Sequence, residues 1–403
     1  MPSLTRAAVT IFLVAFAQAV AAQTTSTLCQ AENVRVASGA TTDLRLIGCG
    51  EGFPDNLLWN LDRADSISGA LDSSVTRTLT GKGAVVYMCD TGVMSEHDEF
   101  QRATGSVVIG GIQPQQDRDC DGHDAAVAPC FSSDVTLFIY THGTATASVV
   151  AGRTTGVAPD AKIVSVDMNS GGSDIDVWLH AFDLIIRHAW DPTTPQFGTG
   201  IINMSFVPNY ASVPDPRFAA FEEKMKRMIG GVDRDGNPDP AGKRFLFVTV
   251  AGNETPGTPA CEATTRNTNL FPGVLGASID GLITVGGIDE TNHIWVGSCR
   301  GPDVDVLAPA AHILVASISG HDHYRKTFLN GETNSGTSYA APFVAGLAAL
   351  LLERNPDYTP QELESIIKAT SSRVANADEP TAYGRVAMFD VISRLPRRRA
   401  VHH

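Results

Sequence analysis

The chain has 403 residues, of which 43% are apolar and 18% charged, which excludes both a disordered polyelectrolyte and a many-spanning membrane protein. Its 44 acidic and 30 basic side chains give a net charge of −14, so it lacks the basic footprint that nucleic-acid binding needs. This length accommodates one large domain with additions as readily as two domains.

Residues 1–22 read as a secretory signal peptide. Arg6 precedes an apolar run over 7–20, and the small residues Ala21 and Ala22 stand before Gln23. The run is short for a transmembrane span, which takes about 20 apolar residues. The mature chain is therefore expected to be secreted and free of the membrane. Residues 23–56 are polar and turn-rich and form an N-terminal extension. From Trp59 onward, apolar strand-like runs at 84–89, 162–167, 200–205, 245–250 and 282–286 alternate with helical patterns. The helices fall near 143–151, 174–189, 216–229, 337–353 and 360–370. Such alternation predicts an α/β fold, a mostly parallel sheet with helices on both faces. Thr359, Pro360 and Glu362 mark a helix start as N-cap, first and third helical residues. The tail 396–403 carries Arg397, Arg398 and Arg399 and reads as a solvated chain end.

Export makes disulfides feasible. The seven cysteines are an odd count, so at least one stays unpaired within the chain. Sequence order suggests Cys29–Cys49, Cys120–Cys130 and Cys261–Cys299. Cys89 then remains as a free thiol closing a buried strand, where a cysteine packs as a small hydrophobe.

Three segments carry chemistry. Asp90-Thr91-Gly92 follows the strand ending at Cys89, and ligand or catalytic groups of open α/β sheets sit at strand carboxyl ends. Thr141-His142-Gly143-Thr144 opens a helix of small residues that can pack closely while presenting an imidazole. Ser335-Gly336-Thr337-Ser338 opens another, whose N-terminal N–H groups favour developing negative charge. Pro342 is expected in or near its first turn, where proline is tolerated. A nucleophilic serine needs a base and the base an orienting carboxylate, and the chain supplies them in the order Asp, His, Ser.

These three segments resemble the signatures of the subtilases, which share that chain order. Ala251-Gly252-Asn253-Glu254 is similar to the family's oxyanion segment, and Trp59-Asn60-Leu61-Asp62-Arg63 to the start of proteinase K-like catalytic domains. The resemblance covers about residues 57–392. It implies a subtilisin-like fold over 57–395 and a secreted serine endopeptidase acting on proteins or peptides as a monomer, with no cofactor required for the chemistry. Asp90, His142 and Ser338 are the implied catalytic residues and Asn253 the oxyanion donor. The substrate strand is expected between Ser170-Gly171-Gly172 and Ser205-Phe206, with Glu254 near the primary pocket as a hint of tolerance for basic side chains. Family relatives also support the Cys261–Cys299 pair.

The chain departs from the family in several places. Tyr339 and Phe343 replace the usual Met and His, and Val207-Pro208 replaces a Gly-Gly pair on the substrate rim. The 23–56 segment is too short for the usual prodomain, so a minimal prosegment and a retained extension both stay open. Two acidic stretches, Asp117/Asp119/Asp121 and Asp233/Asp235/Asn237, alternate oxygen ligands as a calcium loop does. Arg244 at the twelfth position of the second excludes a complete EF-hand, and a solvated acidic turn is the other reading of each. His123 competes with His142 as the base, but Asp124 and Ala125 follow it, so it reads as a decoy within an insertion over 113–135. Two rival functions remain. One is a catalytically silent peptide-binding relative; the other is an acid-acting serine-carboxyl peptidase, against which His142 argues.

Overall fold

In the computed structural model the described residues are 29–30, 42–43, 58–65, 71, 74–75, 78–114, 118–119, 141–168, 174–194, 197–205, 209–210, 216–254, 260–262, 265, 267–318, 320–325 and 334–372. Their centre is a parallel sheet of β1 (Val85–Asp90), β2 (Val108–Gln113), β3 (Lys162–Asp167), β4 (Thr199–Met204), β5 (Arg244–Val250), β6 (Leu282–Ile288) and β7 (Val306–Pro309). The order across the sheet is β7-β6-β5-β4-β1-β3-β2, and the two-residue strand Arg118–Asp119 adds antiparallel at the β2 edge. Every residue of β1, β4 and β6 is buried. Strands covered on both faces read as continuous apolar runs, which is why these three are visible in the sequence.

Helices α1 (Trp59–Asp65), α2 (Thr141–Ala151), α3 (Ile175–Ala189), α4 (Arg217–Gly230), α5 (Thr337–Arg354) and α6 (Pro360–Ala369) cover the sheet. Side chains alternate across a strand, so Val86 and Met88 join one core with α2 and α5, through residues such as Val150 and Leu347. Val85, Tyr87 and Cys89 join the other with Trp178, Phe182 and Phe221 of α3 and α4. The expected layering, helices on both faces, is therefore present. Strand β1 reaches one residue further than expected, to Asp90. Strands β2 and β7 and helix α1 were not anticipated: β2 holds Gly110-Gly111 at its centre, and β7 is four residues long.

Helix α5 is buried almost all round, as a helix apolar on every side must be. Pro342 is its sixth residue, just past the first turn. A proline there cannot donate to the carbonyl four residues back, which is that of Ser338. The Ser205 hydroxyl donates to that carbonyl at 2.9 Å and so satisfies it. Helix α6 starts with the expected capping box of Thr359 and Glu362. It is tied to the sheet by Lys368, which bonds Asp305 and Glu364 at 2.7 Å each.

Cys261 and Cys299 form a disulfide, and Cys89 is a buried free thiol. The side chains of the other two expected pairs, Cys29–Cys49 and Cys120–Cys130, lie outside the described residues, as do the 1–22 leader and the 396–403 tail. Within the extension, Cys29–Gln30 pairs with His323 and Tyr324, and Thr42–Asp43 with Ser74–Val75. Among the described residues no helix is long and apolar enough to cross a membrane.

Candidate active site

Asp90 ends β1 at the carboxyl edge of the sheet, where the strand order switches from one side of β1 to the other. Open α/β sheets bind ligands at such a point. Its carboxylate is fully buried and accepts at both oxygens. Oδ1 takes the Thr91 N–H at 2.7 Å and His142 Nδ1 at 2.7 Å, while Oδ2 takes the Thr146 hydroxyl at 2.9 Å. A carboxylate only accepts, so the imidazole proton sits on Nδ1 and Nε2 faces outward as the basic nitrogen. His142 is part-buried, with 30% of its side chain exposed.

Two glycines let these segments touch. Gly92 has φ +91°, a conformation that favours glycine. A Cβ on Gly143 would lie 2.2 Å from the Gly92 carbonyl oxygen. The Gly143 N–H also donates to Thr91 Oγ1 at 3.0 Å. Helix α2 thus begins directly on the turn after Asp90, which is what brings the imidazole to the carboxylate. Next to Asp90, burial and then the Asp90 charge push the Cys89 thiol well up. It stays protonated and serves packing, not chemistry.

Ser338 is the second residue of α5 and is partly accessible. Its hydroxyl lies 3.5 Å from the Ser205 carbonyl, and the Tyr339 ring packs 6.3 Å from the His142 ring, centroid to centroid. Asn253 lies just beyond β5 and is oriented by Thr337, whose N–H and hydroxyl both donate to Oδ1 at 2.9 Å. Two donors on one amide oxygen fix which end is nitrogen. Nδ2 therefore points toward Gly336. A Cβ built on Gly336 would sit 3.4 Å from Asn253 Nδ2 and 3.7 Å from the Ser338 N. The missing side chain leaves a space bordered by both nitrogens.

The remaining expected residues divide. Ser205 is buried, with its carbonyl facing Ser338 and its hydroxyl used on the Ser338 carbonyl. Glu254 is exposed beside Asn253, with its N–H bonded to the Gly297 carbonyl. Ser170, Gly171, Gly172 and Phe206 lie outside the described residues, as do Asp117, Asp121 and His123; of Asp119 only the backbone is described. The 233–239 turn closes on itself. Asp233 accepts the N–H groups of Asp235 and Asn237 and the Asn237 side-chain amide. Bonds from the Asn237 backbone and side chain hold the Asp233 carboxyl below its ordinary range. Asp233 thus closes a turn with Asp235 and Asn237 beside it, and among the described residues no group of three or more His, Cys, Asp or Glu is arranged to hold a metal ion. Sequence reasoning missed Thr146. Its signal was a hydroxyl four residues after His142 on the same helical face.

Comparison with known proteins gives a consistent result. Residues 81–385 match the family model described as the subtilase family. Subtilisin-like protease 3 of Pseudogymnoascus destructans is 31% identical over 325 residues, which is 78% of this chain and 65% of that protein. A cuticle-degrading serine protease of Arthrobotrys oligospora is 30% identical over 72% of this chain and 57% of its own length. The chain thus matches somewhat under two thirds of these curated relatives. The crystal structure of a cold-adapted subtilisin-like serine proteinase superposes with a TM-score of 0.59 at 24% identity, covering 83% of this chain and 99% of that one. At that identity the superposition speaks to the fold alone.

Proposed function

The chain belongs to the subtilase family, and from that premise we propose that it is a secreted serine endopeptidase working through Asp90, His142 and Ser338. The observation that carries the reading is the convergence of a buried carboxylate on His142 Nδ1 at 2.7 Å with paired N–H donors around Gly336. In this reading His142 Nε2 takes the Ser338 proton as Oγ attacks the scissile carbonyl. Asp90 holds the imidazolium that forms. The Asn253 side chain and the Ser338 N–H bind the oxyanion, and His142 then protonates the leaving amine. No organic cofactor enters these steps, and the substrates are proteins or peptides.

Residues 1–22 are proposed to be removed on export, and 57–395 to form the peptidase unit. Glu254, exposed beside the oxyanion donor, is consistent with tolerance for basic side chains near the primary pocket. A fluorophosphonate probe should label the wild type and not Ser338→Ala. Labelling of neither would favour a silent peptide-binding relative, and equal labelling of both would overturn Ser338 as the nucleophile. Cleavage of a peptide library by the mature protein reads the pocket preference.

A further inference from the structure

Helix α2 contributes two side chains to one carboxylate. His142 and Thr146 stand four residues apart, on the same helical face. His142 Nδ1 meets Asp90 Oδ1 and the Thr146 hydroxyl meets Oδ2. Thr146 and Asp90 are both fully buried, so water does not compete for either oxygen. The threonine hydroxyl has one proton and a second acceptor in reach, the Gly143 carbonyl at 3.1 Å. The carboxylate is nearer, at 2.9 Å, and charge-assisted hydrogen bonds are the stronger kind.

We propose that Thr146 is a positioning residue for the Asp90–His142 pair, donating to the carboxylate oxygen that the imidazole leaves unused. The inference rests on the reading of Asp90, His142 and Ser338 as the catalytic residues and adds a fourth side chain to it. Two attachments from one helix, with the Thr91 N–H as a third donor, stop the carboxylate from rotating about its own axis. The imidazole is then held at one tilt. The hydroxyl also draws on the carboxylate charge. Without it, Asp90 presents more negative charge to the imidazolium, which favours the protonated base. The acid limb of the kcat/KM profile, which reports the free-enzyme base, moves to higher pH.

Other titratable groups face this pair. Asp167 stands in register with Asp90 on β3, Cys89 precedes it, and Tyr339 packs on His142 while donating to Asn334. A change at residue 146 alters none of them.

The test compares Thr146→Val, which keeps the shape and removes the donor, with Thr146→Ser, which keeps the donor. The expected result for Thr146→Val is kcat lower by about 10–10²-fold with KM little changed, as small misplacements of a catalytic group cause. Its acid limb should rise by about half a pH unit or more. Thr146→Ser should stay within a few-fold of wild type with an unmoved limb. A Val variant with wild-type kcat and limb, or Val and Ser variants that fall alike, would overturn the proposal. If melting curves show Thr146→Val unfolded, Thr146→Cys replaces it. A thiol is a weak donor, so its limb must move in the same direction, and an unmoved limb refutes the idea. Ser338→Ala run in parallel separates the two layers. An active Ser338→Ala defeats the catalytic reading itself, whereas an inactive one with an unchanged Thr146→Val defeats only the role given to Thr146.

Discussion

Glu99 is the buried charge on which the exit from α2 depends, and replacing it with glutamine is a sharp test of the packing argument. Its carboxylate is inaccessible to solvent. It accepts the Thr154 N–H at 3.1 Å, the Thr155 N–H at 2.9 Å, the Thr155 hydroxyl at 2.8 Å and the Tyr324 hydroxyl at 2.7 Å. Burial alone would raise the carboxyl, but the bonds from Tyr324 and then from Thr155 and Thr154 outweigh it and hold it below the ordinary range. Glutamine keeps the shape, removes the charge and turns one acceptor oxygen into a donor. If the amide nitrogen takes the Oε1 side, Tyr324 can turn over and accept, and the threonine bonds become neutral ones. Each loses about 1 kcal/mol on going from a charged to a neutral acceptor. Three such bonds give a cost of about 2–4 kcal/mol, or about 4–8 °C in melting temperature at about 2 °C per kcal/mol.

Melting should be followed in a Ser338→Ala background, so that self-digestion does not distort the curve. A carboxyl held low in the fold contributes stability that is present above its unfolded value and lost as pH falls through its folded value. The gap between the parent protein and its Glu99→Gln variant must therefore close on acidification below the ordinary glutamate range. A cost under about 0.5 kcal/mol at neutral pH, the level of an ordinary surface change, would refute the reasoning, as would a gap that widens with acid.

Other outcomes follow from the same geometry. Asn253→Ala should lower kcat by about 10²–10³-fold, the loss seen when the corresponding donor is removed from subtilisin, because the oxyanion exists only on the way to product; wild-type kcat would show the donor misassigned. His142→Ala should cost several orders of magnitude in kcat while His123→Ala stays within a few-fold, and the reverse would move the base into the 113–135 insertion. Lys368→Met leaves Asp305 and Glu364, both nearly inaccessible, without their shared cation. It should destabilise the fold by about 3–5 kcal/mol in urea titration, as breaking a buried ion pair does. The Cys261–Cys299 bond spans a separation of 38 residues. Its removal by Cys261→Ser with Cys299→Ser should cost about 4 kcal/mol in the chain-entropy model, and non-reducing peptide maps should show Cys89 unbridged.

What could be read from the sequence is what local geometry compels. Asp90-Thr91-Gly92 and His142-Gly143-Thr144 stand out because Gly92 and Gly143 must lack side chains for the two turns to touch. Gly336 stands out because a side chain there would fill the space between two donors. The central strands were visible because both their faces are covered. The bonds that hold this machinery in place join distant segments, and no spacing rule announces them. Glu99 meets Tyr324 across 225 residues, and Ser205 meets the Ser338 carbonyl across 133.

Pro342 shows why the second kind escapes a reading of the chain. The rule that a proline belongs in the first helical turn is a rule about the helix's own hydrogen bonds, and it fails when another element supplies the missing donor. Here Asn203 Nδ2 donates to the Ser205 hydroxyl at 2.9 Å, and that hydroxyl passes its own proton to the Ser338 carbonyl. The relay lies under the residue proposed as the nucleophile. The 233–239 turn is the converse case. Its alternating oxygens are the pattern of a calcium loop, and in the fold Asp233 accepts the N–H groups of its own turn. An acidic side chain two residues before a glycine-containing turn can close an Asx turn as readily as it can face a cation. Which it does depends on where the next donors point, and that is fixed only once the chain has folded.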